Sequence, residues 1–340
     1  MIVNVTKNDG LKLLGVIDSY SSLIWTEAFK TVGDFSLEIP LTKSAFEMLK
    51  VGRQLYLDKD LAHRMIIEKA ITRASLDKGL LLTVSGRCAK SLLSRRIIWN
   101  EITKDNLTLL QAVDMVISQN MRGLPISFNL SEHDYLSKYI VSGTIKSENI
   151  LNWLEDTLKP FNLGYSVSFV DKSYVLEIKE PKTTNMAFSF ERGNMIANEY
   201  YDDISKYSNV ALIRGEDKEN APRVTQSVGD KTGWDRFETY IDGSSYSSEI
   251  AGNKLSGQQY ENMLKTYAMR GLKDIKRQYD VEVDFGLDNQ FDKYYSLGDI
   301  VHVKSFDGND VQVLVSSTTL SDSIDGRTYL PTMEVINNGV

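Results

Sequence analysis

At 340 residues, 42% hydrophobic and 25% charged, the chain is long enough for a large core and too long for one typical domain, so two or three domains are expected. With 46 acidic against 39 basic residues its formal charge is −7 at pH 7, which disfavours nucleic-acid binding through a basic field. Its single cysteine, Cys88, excludes an internal disulfide and a multi-cysteine zinc site. The opening MIVNVTKNDG lacks a basic segment followed by an apolar one, so no secretory signal is expected. The longest apolar runs, such as GLLLTV, are strand-length, and no membrane span is expected.

Residues 1–98 read mostly as β. After LKLLGVID comes SLIWTEAFKTVGDFSLEIP, residues 22–40. Leu23, Trp25 and Phe29 share one parity, as do Phe35, Leu37 and Ile39 after the Gly33–Asp34 turn, and Pro40 closes the run. Residues 42–50 read as a short amphipathic segment with Phe46 and Leu49 on one side. RQLYLD and RMIIEKAIT read as strands, the latter joined through Asp77-Lys78-Gly79 to LLLTVSG. Residues 89–95 predict a helical turn or two, and the basic Ser94-Arg95-Arg96 reads as its solvated end.

Residues 99–182 change character. Thr108 and Gln111 have capping-box spacing ahead of Leu109, Leu110, Val113, Val116 and Ile117. Ser147 predicts the N-cap of a second helix carrying Ile150, Leu151, Leu154 and Leu158 and ending at Lys159-Pro160. YSVSFV, the Asp171-Lys172 turn and YVLEIKE form a hairpin, so this stretch reads as an α/β insert. MAFSFE and SNVALIRG read as strands again, and 227–254 reads as loop. Ser256 and Gln259 open the strongest helix, 256–278, with the stripe Tyr260, Leu264, Tyr267, Gly271, Leu272 and Ile275. That stripe is expected to pack within its own domain, with a subunit contact as the alternative. The tail, 281–340, is β.

The chain carries a weak internal repeat. LKVGRQLYL resembles YSLGDIVHV, placing Gly52 on Gly298, Leu55 on Val301 and Leu57 on Val303. The same spacing sets Met65 and Ile67 on Val311 and Val313, with a two-residue slip expected later, between the turns SLDKG and SIDGR. A protomer holding two copies of one β tile doubles the apparent symmetry of a ring, so a trimer would present six similar tiles.

Motifs for chemistry are lacking. His63, His133 and His302 each stand alone, without metal-ligand spacing. Gly229-Asp230-Lys231-Thr232-Gly233 lacks the contiguous Gly-Lys-Thr of a phosphate loop. The adjacent acids Asp202-Asp203 and Glu155-Asp156 do not face one another on a strand or a helix. DGND at 307–310 reads as a hairpin tip, without the ligand pattern of a calcium loop. No catalytic, cofactor-binding or metal residue is assigned, and no enzyme activity or cofactor is expected.

GVIDSYSSLIWTEAFKTVGDFSLEIP, LKVGRQLYL, RMIIEKA and VSGRCAKSLLSRRII resemble the hub proteins at the tail tip of non-contractile long-tailed bacteriophages. The residues that carry the resemblance are Ser22 to Trp25, Gly33 to Phe35, Pro40, Ile67-Glu68 and Ser85 to Arg87; DKTGWDRFE and YSLGDIVHV extend it to the second half. Together with the elements above, this implies an α+β, β-rich fold of two related tube-like β domains with an α/β insert and a smaller helix-containing insert. The first β domain is expected at 1–98, with 183–200 as its candidate completion, the α/β insert at 99–182, and the second β domain at 201–340 with its helical insert around 235–280. The resemblance further implies a structural virion protein, a phage or prophage baseplate hub made in the bacterial host cytoplasm and placed at the virion tail tip. It would assemble as a homotrimer that closes the tail tube. Its partners would be the distal tail protein ring, the tail tube or tape-measure protein, and receptor-binding or tip proteins. DNA would transit its lumen without specific binding. Relatives with a lytic or receptor-binding domain carry it as a C-terminal extension, and ending at Val340 leaves that activity unexpected here. The competing readings are a tail-associated cell-wall hydrolase and a carbohydrate-binding module using Trp153 or Trp234; Trp25 is expected to found a β-domain core rather than bind a ligand.

Overall fold

The structure is a computed structural model, and it describes residues 1–336 apart from 77–78, 105–106, 142–143, 219–220, 251–252, 284–293, 307 and 325. Its frame is one 13-stranded sheet. The first seven strands are β1 (Val3–Thr6), β2 (Leu13–Ile17), β3 (Ser22–Ala28), β4 (Asp34–Pro40), β5 (Gln54–Leu57), β6 (Met65–Ser75) and β7 (Gly79–Cys88). The other six are β8 (Lys182–Phe188), β9 (Ala197–Asp203), β10 (Lys276–Glu282), β11 (Asp299–Lys304), β12 (Asp310–Ser323) and β13 (Gly326–Val335). Their order is β9-β10-β13-β12-β3-β4-β7-β6-β5-β1-β2, with β8 joined through β11 to β12. Every neighbour is antiparallel except the pair β8–β11.

The opening hairpin forms as its alternation requires. Trp25 pairs with Phe35 and Leu23 with Leu37, and these side chains with Ile39 point into one core. In the short helix α1 (Lys43–Met48), Ala45 and Leu49 turn inward, whereas Phe46, expected on the apolar side, is exposed. The start of β6 is buried on both faces. Met65 and Ile67 join the core of the first β unit, and Ile66 joins that of the α/β insert, which explains an unbroken apolar run where alternation would be the norm.

The repeat is a fact of the backbone. Gly52 and Gly298 both have positive φ, +89° and +87°, conformations that glycine adopts without steric cost. Their N–H groups donate to Ile67 O and Val315 O at 2.7 and 2.9 Å. Leu55 pairs with Met65 and Val301 with Val313. The slip therefore lies in the loop before Met65, earlier than the sequence alignment placed it, and Met65 and Ile67 correspond to Val313 and Val315. The bulge between Ile67 and Lys69 recurs between Val315 and Ser317. Upstream, Phe35, Leu37 and Ile39 on β4 correspond to Tyr279, Val281 and Val283, all buried. The hairpin β3–β4 thus matches β9–β10, with Trp25 in the place of Tyr200. The aromatic pair Trp25–Phe35, rings 6.0 Å apart, recurs as Tyr200–Tyr279 at 4.8 Å. The two tiles are β3-β4-β7-β6-β5 and β9-β10-β13-β12-β11. Strands β8 and β9 pair with β11 and β10, so residues 183–200 attach to the second tile and do not complete the first.

Two further cores stand apart from the tiles. One gathers α2 (Leu109–Asn120), α3 (Ile150–Leu158) and the hairpin Gly164–Val170/Ser173–Lys179. Asp171 and Lys172 take φ of +47° and +70°, as a two-residue hairpin turn requires. Thr108 caps α2 as expected. Asn149, not Ser147, caps α3, because Asn149 bridges to Ile97 and holds that backbone extended up to Ile150. The other core packs α4 (Gly257–Gly271) on strands Val210–Arg214, Thr225–Val228 and Glu238–Asp242. Ser256 and Gln259 form the expected capping box, but the helix ends at Gly271 and residues 276–278 belong to β10. Residues 227–254, expected as loop, contain short strands, and Tyr260 and Leu264 of the stripe are buried within this unit. Tyr267 stacks on Tyr246 at 4.0 Å, with Lys146 of the α/β insert 4.1 Å from the Tyr246 ring.

Trp25 is 5% exposed and lies opposite Leu320 of the second tile. Trp25→Ala is expected to destabilise the chain by ~3–5 kcal/mol, read from urea unfolding midpoints. A loss below about 1 kcal/mol would remove Trp25 as a core founder.

Candidate functional site

The tiles meet along one seam. The second half of β12 pairs with all of β3, from Ser317 opposite Ala28 to Ser323 opposite Ser22. Leu320 lies opposite Trp25 on the core side, and Thr26 and Thr319 share a hydroxyl hydrogen bond of 3.1 Å. The seam's lower end is held by Phe29 N–H donating to Ser316 O at 2.7 Å and by the ion pair of Lys30 with Glu334, also 2.7 Å. At its upper end the Asp322 carboxylate accepts from the Tyr20 hydroxyl at 2.6 Å and from Arg327 at 2.9 Å.

Just past β3, both tiles and the α/β insert converge on Phe29, which is buried. A Cβ on Gly298 or on Gly164 would fall 2.3 or 2.4 Å from its ring, so both positions need glycine for the approach. Beside it the Lys90 ammonium donates to Ala28 O, Phe29 O and Thr31 O at 2.6, 3.1 and 3.0 Å, and lies 4.2 Å from the Tyr165 ring. The Tyr165 hydroxyl donates to Glu155 Oε1 at 2.7 Å. Burial pulls Lys90 down to about 8, pushes the Cys88 thiol up and raises the Glu155 carboxyl. A cavity of about 760 Å³ opens here, lined by Trp25, Phe29, His63, Lys90, Tyr165 and Lys179 among others. All three hydrogens of the Lys90 ammonium are committed to carbonyls, and the Cys88 thiol is held in its weakly nucleophilic protonated form. The cluster fastens three bodies together.

Of the residues singled out in the sequence, Trp25 and His63 line this cavity and Glu155 joins its cluster through Tyr165; the others lie elsewhere. His63 pairs with Asp60 at 2.6 Å. His133 meets Asn129 O through Nδ1 and accepts from Ile178 N–H at Nε2, so both ring nitrogens serve local structure. His302 sits in β11 opposite Gln312. Asp202 pairs with Arg277, and Asp203 accepts from Ser205 N–H. Of 307–310, Asp307 lies outside the described residues, and Gly308 closes the β11–β12 turn by donating to Ser305 O; likewise 77–78 of the predicted Asp77-Lys78-Gly79 turn lie outside them. Gly229 approaches Asn209 O so closely that a Cβ would sit 2.1 Å away, a tight backbone crossing rather than a phosphate cradle. Trp153 is buried in α3, while Trp234 is fully exposed on the turn Gly233–Asp235. Among the described residues no group of three or more His, Cys, Asp or Glu is placed to hold a metal, and no helix is long and apolar enough to cross a membrane. Lys90 was not found from sequence, since its role depends on carbonyls some sixty residues away.

Replacing Lys90 with Met removes the ammonium donor from Ala28 O and Thr31 O, while Phe29 O keeps the Tyr165 N–H at 3.0 Å, and a loss of about 2 kcal/mol or more in unfolding free energy is expected. The pH dependence has a definite sign. With its folded value lowered to about 8 from an ordinary 10.5, the unfolded chain binds a proton that the folded chain has released across that window. Stability from this group therefore rises between about pH 8 and 10.5, and urea midpoints of the wild type minus Lys90→Met should rise with pH there. A flat difference would refute the assignment.

Among curated proteins, a sequence search returns no match. Three solved structures share the fold over nearly the whole chain. The 43 kDa tail protein of prophage MuSo2 from Shewanella oneidensis is 15% identical with a TM-score of 0.57, covering 98% of both chains. The tail protein from Neisseria meningitidis MC58 is 13% identical with a TM-score of 0.58, covering 98% of this chain and 97% of the other. Prophage tail protein gp18 from Listeria monocytogenes EGD-e is 11% identical with a TM-score of 0.53, covering 100% and 96%. The resemblance to phage tail proteins drawn from the hairpin and repeat motifs is thus matched by the fold. A family model described as Siphovirus ReqiPepy6 Gp37-like protein matches residues 3–333, nearly the full length, and the chain belongs to that family.

Proposed function

We propose that this chain is the tail-tip hub of a phage or prophage: a structural ring of three protomers that closes the distal end of the tail tube and connects it to receptor-binding or tip components. The observation that carries this reading is the pair of matching tiles welded edge to edge in one chain. A unit that already contains two adjacent segments of a ring has its value in completing the ring, and three such chains supply six segments. The work proposed is mechanical and non-enzymatic. It is supported by the way a buried charged group, Lys90, is spent on backbone carbonyls.

The two tiles also offer matched contacts to a neighbour. Each ends in a long hairpin, β6–β7 and β12–β13, whose strands close at Ser75–Gly79 and Ser323–Gly326. Leu76 and Ile324 sit at equivalent tips, and both are fully exposed. An aliphatic side chain repeated on six tips suits a sixfold ring with an apolar socket per subunit, the distal tail protein ring being the natural candidate.

The functional test is immunogold labelling of intact virions with an antibody to this chain, combined with light scattering on the purified protein. Label at the distal end of the tail and a threefold mass are expected. Label along the tail shaft or on the capsid would sink the hub reading. For the tips, Leu76→Asp/Ile324→Asp is expected to weaken capture of the neighbouring ring by roughly ten-fold or more, as for loss of apolar contact at an interface, without shifting the thermal midpoint. Unchanged capture would mean that the hairpins point away from that partner.

A further inference from the structure

The seam inside the chain specifies a second seam between chains. In the second tile the outer half of β12 is paired on both edges, by β13 and by β3. Among the described residues, its counterpart in the first tile, the outer half of β6 from Lys69 to Ser75, pairs only with β7. The other half of the joint is open too. Strand β3 is flanked by β4 and β12, whereas its counterpart β9 has β10 alone among the described residues. Each chain thus leaves unpaired the two edges that, inside the chain, are joined to each other.

We infer that the outer half of β6 pairs antiparallel with β9 of a second copy, in the register of the β12–β3 seam. Carrying that register across sets Lys69 opposite Asp203, Ala70 opposite Asp202, Ile71 opposite Tyr201, Thr72 opposite Tyr200, Arg73 opposite Glu199 and Ala74 opposite Asn198. This inference rests on the ring reading above and names its interface.

Three features of the side chains favour the second copy as the occupant. On one face of the joint, Lys69 meets Asp203 and Arg73 meets Glu199, two opposite-charge pairs flanking Ile71 and Tyr201; directly opposed unlike charges stabilise cross-strand pairs and like charges oppose them. On the other face, Ala70, Thr72 and Ala74 are small, and they leave room for Tyr200. Tyr200 occupies the place of Trp25, yet it is 39% exposed in the single chain where Trp25 is 5% exposed. Trp25 is covered by Leu320 across its seam, and the joint would cover Tyr200 in the same way. The contact is heterologous, each copy offering β6 to one neighbour and β9 to the other, so it closes into a ring rather than a twofold dimer.

The test uses the full chain. Lys69→Asp/Arg73→Glu is expected to weaken self-association by roughly ten-fold or more in light scattering, since both pairs become like-charged. Adding Glu199→Arg/Asp203→Lys to the same chain restores it. Because these positions are exposed, an unchanged thermal midpoint separates lost association from lost folding. In a Cys88→Ser background, Thr72→Cys/Tyr200→Cys should give disulfide-linked species of two and three chains on a denaturing gel, and neither single cysteine should give a species of three. A trimer that forms with neither charge dependence nor cross-link overturns this joint and leaves the ring reading standing. A chain that stays monomeric at every concentration tested overturns the joint as well, and the virion labelling then decides the hub reading independently.

Discussion

The structure depends on one strand being long enough to belong to two partners. The first half of β12 pairs with β11, and the second half, past the bulge at Val315/Ser317, pairs with β3. That second half, with the Phe29 N–H bond to Ser316 O just before it, is where the backbones of the two tiles are joined. The bulge matters because it re-aims the strand between its two tasks and sharpens the local twist. Its duplicate at Ile67/Lys69 marks β6 as built to the same plan, with its second partner supplied from outside.

Around this seam the other bodies are attached by contacts of a different kind. The α/β insert is tied in by Tyr165, whose N–H donates to Phe29 O and whose ring lies against the buried Lys90 ammonium, and by a phenylalanine ring pressed between two glycines. Such contacts tolerate little displacement, because an unpaired carbonyl or a gap at the ring is costly. The helical insert touches its neighbour through a lysine over stacked tyrosines and through the ion pair of Lys159 with Asp274, contacts nearer the surface. The gradient is from a rigid frame at the tiles to a more lightly held outer module.

Open strand edges invite wrong partners, and the two edges of this joint carry charge. The β6 edge carries Lys69 and Arg73, and the β9 edge carries Glu199, Asp202 and Asp203. Each edge resists pairing with a copy of itself, while the two are complementary to one another. The acids of β9 also hid it from the sequence: ANEYYDD has neither clean alternation nor a buried face, and its strand character comes from the pairing with β10. The opposite case is SLIWTEA with DFSLEIP, where half the side chains are buried on one face and the period of two is plain. The short strands within 225–254 were illegible for the same reason as β9, being polar segments recruited by a neighbouring strand.

By itself the sequence determined the elements whose signals are local: the opening hairpin, the Thr108 and Ser256 caps, the Asp171-Lys172 turn, the glycines repeated at Gly52 and Gly298, and through these the family likeness. Local signals suffice there because alternation, capping and positive φ are properties of a few consecutive residues. Only the tertiary structure decided that residues 183–200 serve the second tile, that the repeat slips before Met65, that Lys90 is a buried clasp, and that β3 is covered while β9 is bare. Those depend on which segment lies beside which, and hydrogen bonds between residues far apart in the chain, from about sixty to about three hundred positions, leave no trace in the order of the amino acids on either side.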